Sequence, residues 1–165
     1  MAGAGLNVAV DSEEVQRHLR GIARRMRSME PAMAVVEEVL ATAVDDNFQE
    51  QGQRGGRQQW ADLKDETWER RREGRGRGQG KILTDTGALS RSAQAGRRHD
   101  RRSAEVGTDL EYAATHQFGD PRRNIPARPF LFVTDEDVQE IADTIADYID
   151  LGKRGMLAAQ KSRVT

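Results

Sequence analysis

Apolar residues recur along the first third of the chain with two different periods. Leu6, Val8 and Val10 alternate with Asn7 and Ala9, which predicts a short strand. Asp11 then stands as an N-cap with Glu14 at the capping-box position. Val15, Leu19, Ile22, Met26 and Met29 follow at steps of four and three, the stripe of an amphipathic helix, with Arg17, Arg20, Arg24 and Arg27 mostly off it. Pro31 suits the first turn of a second helix, carried by Val35, Val36, Val39, Leu40, Ala43, Val44 and Phe48 to about Glu50. Residues 11–50 read as a helical hairpin or as one rod kinked at the proline. The rod is preferred, because Ser28-Met29-Glu30 has no glycine to reverse the chain.

The periodicity then lapses. Residues 51–80 are rich in glycine and arginine and predict a mobile loop, interrupted by the apolar anchors Trp60 and Leu63 and by a short helix over 65–72. Ile82-Leu83 opens the second half, and Asp85-Thr86-Gly87 supplies a turn. Residues 89–96 and 103–107 read as two weak strands joined as a hairpin near His99-Asp100-Arg101. Residues 111–117 predict a short helix stopped by Gly119, followed by a loop that Pro121, Pro126 and Pro129 keep stiff. Residues 129–133 form the best strand pattern in the chain. Thr134, with Asp137 three residues on, caps a final helix striped by Val138, Ile141, Ile145 and Ile149. The expected fold is therefore α+β: a small antiparallel or mixed sheet packed against a long N-terminal helix, kinked or hairpin, and a C-terminal helix. Residues 1–151 make one domain and 152–165 a basic tail.

Composition narrows the possible functions. Of 165 residues, 36% are hydrophobic and 32% charged, polar for a compact monomer and leaving much chain for surface. The net charge is only -1, so wholesale capture of nucleic acid is not indicated. The charge is, however, segregated. Residues 133–150 hold Asp135, Glu136, Asp137, Glu140, Asp143, Asp147 and Asp150 and no Lys or Arg. Residues 67–81 hold Arg70, Arg71, Arg72, Arg75, Arg77 and Lys81 against Glu69 and Glu73. These stretches are either two solvated faces or complementary patches that meet between copies. There is no cysteine, and no apolar run approaches the roughly 18 residues of a membrane helix, so no membrane partner is expected.

Catalytic patterns are missing. The three histidines, His18, His99 and His116, are scattered, and the glycines at 74, 76, 78 and 80 do not follow a dinucleotide-binding spacing. No cofactor or metal is expected. What stands out is a dense stretch, Tyr112-Ala113-Ala114-Thr115-His116-Gln117-Phe118-Gly119 followed by Ile125-Pro126-Ala127-Arg128-Pro129-Phe130, which fixes backbone shape with few polar handles. Trp60, Leu83, Leu89, Tyr112, Phe118, Phe130 and Phe132 are the expected core. Arg128 is the candidate hydrogen-bond fork, for a local contact or for an interface. The Arg/Gly-rich loop leaves nucleic-acid binding open as an alternative function.

The colinear order of Trp60-Ala61-Asp62-Leu63-Lys64, Ile82-Leu83-Thr84-Asp85-Thr86-Gly87-Ala88-Leu89, Tyr112-Ala113, His116-Gln117-Phe118-Gly119 and Ile125-Pro126-Ala127-Arg128-Pro129-Phe130 resembles the Mu-like phage virion morphogenesis, or tail completion, family over roughly residues 5 to 150. The resemblance implies a small α+β structural protein of a tailed phage or prophage, assembled in the host cytoplasm and resident in the tail or neck. It further implies association with itself as a ring, commonly hexameric, and with tail tube, sheath or connector proteins around a DNA channel. Contact with that DNA would be incidental. The matched positions Trp60, Leu63, Leu83, Gly87, Leu89, Tyr112, His116, Phe118, Gly119, Pro126, Arg128, Pro129 and Phe130 are the expected motif residues. Arg70, Arg71, Arg72, Arg75, Arg77 and Arg128, with Asp135, Glu136, Glu140, Asp143 and Asp147, are the candidate interface.

Overall fold

A computed structural model describes residues 12–71 and 80–150. The predicted Leu6–Val10 strand, the Asp11 cap, the arginines at 72, 75 and 77 and the basic tail lie outside the described residues. Within them the chain is a small α+β fold of six helices and one two-stranded antiparallel sheet.

Helix α2 (Glu30–Gln49) is the axis of the molecule. Nine of its residues are buried, from Ala32 to Phe48, and they point in several directions, as expected of a helix covered on more than one side. Its N-terminal half packs with Tyr148, Ile141 and Ile145 of α6 (Asp135–Asp150) and with Ala104. Its C-terminal half supplies Val44 and Phe48 to the main core, which also holds Trp60, Ile82, Leu89, Ala93, Ala113 and Phe130. Helix α1 (Ser12–Arg27) ends two residues before α2 and does not lie along it, so the two form a kinked rod. Ser28 and Met29 make the break, and Pro31 occupies the first turn of α2.

Residues 88–95 are not the strand that the sequence predicts but helix α4 (Ala88–Ala95). Leu89 and Ala93, four apart, both turn into the core, the Thr86 hydroxyl accepts from the Ala88 N–H at the start, and Gly96 ends the helix. The expected hairpin survives in short form as β1 (Arg98–His99) and β2 (Ala104–Glu105), paired Arg98 with Glu105 and His99 with Ala104. One carboxylate oxygen of Asp100 closes its turn by accepting from the N–H groups of Arg102 and Ser103. Short helices α3 (Asp65–Arg70) and α5 (Ala113–Phe118) complete the set.

The second correction concerns residues 129–133, the best strand pattern in the sequence, which join no sheet among the described residues; the chain bends at Leu131. Side chains satisfy the backbone there instead. Gln117 accepts from the N–H groups of Phe130 and Leu131 and donates to the Leu131 carbonyl. Trp60 donates to the Pro129 carbonyl, and Asn47 donates to those of Phe130 and Phe132. Buried main-chain groups must find partners, and an amide side chain with both a donor and an acceptor imitates a neighbouring strand.

Three of the expected core aromatics are outside it, Phe132 being half-buried beneath the Arg57 guanidinium and in neither core cluster. Phe118 is 78% exposed and Tyr112 45%, because α5 is six residues long and buries chiefly Ala113.

Candidate functional site

The residues of the colinear motifs, far apart in sequence, converge on one open pocket of about 480 Å³. Its walls come from the 62–71 segment, the turn before α4, α5 and the proline-rich loop after it. Leu63, Leu83, Gly87, Leu89, Tyr112, His116, Pro126 and Arg128 all line it, as do Arg70 and Arg71. Trp60 and Phe130 belong to the main core and Trp60 donates to the Pro129 carbonyl, while Phe118 and Gly119 face a neighbouring cleft.

Each wall has a local cause. At the turn before α4, Leu83 and Gly87 both adopt positive φ, +60° and +70°. Gly87 carries this without strain, whereas Leu83 is held there by packing against the core. In the loop after α5, Gly119 has φ +79°, and a Cβ would meet the Ala127 nitrogen at 2.8 Å. Asp120 and Ile125 then exchange both backbone hydrogen bonds, closing the loop. The Asp120 carboxylate takes the Arg122 and Arg123 N–H groups and the Arg123 guanidinium, which holds its carboxyl below the usual carboxylate range.

Arg128 is the central polar side chain. It is 5% exposed, and it donates from Nε to the Ala61 carbonyl at 2.8 Å and from Nη2 to the Asp62 carbonyl at 2.9 Å. Its own N–H donates to the His116 carbonyl at 2.7 Å. The fork therefore ties the Trp60 loop to α5 and to the 125–133 segment. Burial works against its positive charge, Asp62 partly offsets that, and the Arg71 charge adds to it. No carboxylate pairs with it among the described residues.

His116 packs edge-on against Tyr112, with ring centroids 5.9 Å apart. Its Nδ1 is buried without a hydrogen-bond partner. Burial, then the charges of Arg128 and Arg123, depress its pKa, so the ring is neutral at pH 7. Arg71 donates to the Lys81 carbonyl, sits 3.7 Å from Asp85 and lies over the Trp68 ring. Asp62 accepts from Trp68 and from the Leu63 N–H. Both pocket carboxylates thus serve structural contacts. Lys64, Arg70, Arg71, Arg123 and Arg128 outnumber Asp62 and Asp85, so the pocket suits an anionic group.

The remaining candidate residues scatter. Asp135, Glu136 and Asp143 are exposed on α6, while Glu140 and Asp147 are partly covered. Arg54 and Arg57, in the glycine-rich loop read as a possible nucleic-acid element, are engaged within the subunit. Arg54 makes two hydrogen bonds to Asp137, at 2.8 and 3.0 Å, and donates to the Ala43 carbonyl; Arg57 lies over the Phe132 ring. Sequence reasoning missed Asn47, Gln117 and the Arg54–Asp137 pair. Asn47 did leave a signal: a polar residue between Val44 and Phe48 on a buried helical stripe. Among the described residues no group of three or more His, Cys, Asp or Glu could hold a metal, and no helix is long and apolar enough to cross a membrane.

Comparison with known proteins agrees with the convergence of the motifs. Residues 10–150 match the model of the phage virion morphogenesis family. The chain is 32% identical over 146 residues to the Mu-like prophage FluMu G protein 2 of Haemophilus influenzae, covering 86% of this chain and 93% of that protein. It is 30% identical over 116 residues to the uncharacterized protein MJ0331 of Methanocaldococcus jannaschii, covering 69% of this chain and 84% of that one. No solved structure matches.

Proposed function

Because this chain belongs to the phage virion morphogenesis family, we propose that it is a structural, non-enzymatic part of a tailed-phage or prophage-derived particle, completing the tail or its junction with the head as a ring of identical copies. The observation that carries this reading is how the motif residues spend their polar groups. Arg128 and Gln117 hold main chain, Trp60 holds the Pro129 carbonyl, and the buried His116 Nδ1 has no hydrogen-bond partner. An enzyme site keeps such groups in mutual reach around a reacting atom; these groups fix the shape of a wall.

The alternative reading is nucleic-acid binding through the Arg/Gly-rich loop: Arg54 and Arg57 are occupied within the subunit, while Arg72, Arg75 and Arg77 lie outside the described residues. The deciding experiment is negative-stain imaging of tails made with and without the protein, together with sedimentation of the purified chain alone and with tail tubes. The expected result is a ring-sized species that caps tubes, and tubes of irregular length when it is missing. A persistent monomer that never attaches to tubes or connectors would overturn the proposal. Retention on duplex DNA with a steep salt dependence would favour the alternative.

A further inference from the structure

Most of the stripe that makes α1 amphipathic is left uncovered by the described residues. At 100° per residue, Val15, Leu19, Ile22 and Met26 share one face. Helix α6 reaches only one flank of that face. Arg25 donates there to the Ile149 and Asp150 carbonyls, and His18 lies 3.6 Å from Asp150. Ile22 is half-buried, but Val15, Leu19 and Met26 are 45%, 57% and 60% exposed. The open flank carries Arg20 and Arg27. Three large apolar side chains in a row on a surface helix are more than the scattered exposure of a monomer.

Helix α6 offers the matching surface. Its inner face sends Ile141, Ile145 and Tyr148 against α2. Its outer face shows Val138, 52% exposed, with Ala142 and Ala146 also exposed, and it is edged by Asp135, Gln139 and Asp143. No Lys or Arg occurs between Val133 and Asp150.

We propose that Val15, Leu19 and Met26 of α1, bordered by Arg20 and Arg27, pack on the outer face of α6 of an adjacent copy, around Val138 and Ala142 and bordered by Asp135 and Asp143. Charge selects this occupant. Helix α1 against a second α1 would set Arg20 and Arg27 beside arginines, and α6 against a second α6 would set acid beside acid. Residues 153–165 carry Lys153, Arg154, Lys161 and Arg163 and no acid, so they too are repelled by the α1 border. The acidic helix thus finds a basic counterpart in α1; of the 67–81 segment, Arg71 is committed within the subunit, and Arg72, Arg75 and Arg77 lie outside the described residues. Because the two surfaces differ, the contact is heterologous and generates a ring when its rotation closes.

The inference rests on the reading of this chain as an assembly of copies, and charge reversal separates the two. Assembly of the full chain is followed by sedimentation, with circular dichroism and Tm checking the fold. R20E/R27E and D135K/D143K should each weaken assembly by at least about tenfold, and the fourfold variant should return to within about threefold of the unmodified chain. L19E/M26E should abolish assembly and leave the Tm of the monomer unchanged. Assembly indifferent to either reversal, or unrescued in the fourfold variant while every variant stays folded, overturns the α1–α6 contact and leaves the proposed function standing. A fall in monomer Tm for L19E/M26E means that residues 1–11 or another segment covers the stripe in cis, and also overturns it. An unmodified chain that neither assembles nor caps tubes removes the proposed function itself.

Discussion

Single side chains decide this fold to an unusual extent, because three of them replace a strand. Asn47, fully buried, donates to two carbonyls of the 130–132 segment. N47A should cost about 2–4 kcal/mol in denaturant unfolding, since a lost hydrogen bond that strands a buried group costs about 1–3 kcal/mol; a loss below about 1 kcal/mol would mean that water replaces the amide. At Gly119 the expected effect is steric. G119A should destabilise by more than about 1 kcal/mol, because φ is +79° and the new Cβ would lie 2.8 Å from the Ala127 nitrogen. Asp137 makes stability depend on pH. Burial opposes its ionisation, but the Arg54 guanidinium and the Thr134 N–H and hydroxyl outweigh that and hold its carboxyl below the ordinary 3.8. A carboxyl depressed in the folded state contributes stability above its unfolded pKa and loses it as pH falls through the folded value. The stability gap between the unmodified chain and D137N should therefore be full at pH 7 and shrink below about pH 4. A gap constant from pH 7 to 2.5 would sink this assignment.

At the level of elements, α2 spends its apolar residues inside the subunit, whereas α1 leaves Val15, Leu19 and Met26 exposed. Phe48 meets Trp60 edge-on at 5.9 Å and Phe130 at 5.4 Å. F48A should cost about 3–5 kcal/mol, the usual loss for a buried aromatic. L19A on α1 should change the Tm of the monomer by no more than exposed positions do, within about 0.5 kcal/mol. Parallel thermal melts of the two variants at a concentration where the chain is monomeric make the comparison. Similar losses for both would place α1 inside the cooperative core.

For the whole molecule, the consequence is a subunit stiff at its motif pocket and with apolar surface left over at α1. The pocket gathers residues 62–71, 83–89, 112–116 and 123–128 around Arg128, and its polar groups mostly lock loops to one another. Rigidity of this kind keeps surface patches at fixed angles, which a closed ring of repeated contacts requires. Since the border charges of α1 and α6 are exposed, assembly should weaken as salt rises from about 0.05 to 0.5 M, as the Debye length contracts to a few ångströms. Salt-independent sedimentation would argue for a contact made through apolar groups alone.

The sequence by itself determined the helices with long, regular apolar spacing. Helices α1, α2 and α6 follow directly from steps of three and four, the Thr134–Asp137 box starts α6 as read, and Gly119 ends α5. The family was legible too, because its motifs are colinear and distinctive. Tertiary structure decided the rest, for a common physical reason: short segments carry too little local information to choose their own state. Residues 88–95 became helical because Leu89 and Ala93 could reach the same core, against a reading based on weak strand propensity. Residues 129–133 read as a strand but pair with none among the described residues, and side chains from three distant places complete their hydrogen bonds. Periodicity marked the apolar face of α1 but could not say whether that face would be covered. Only the placement of α6 along one flank leaves it open.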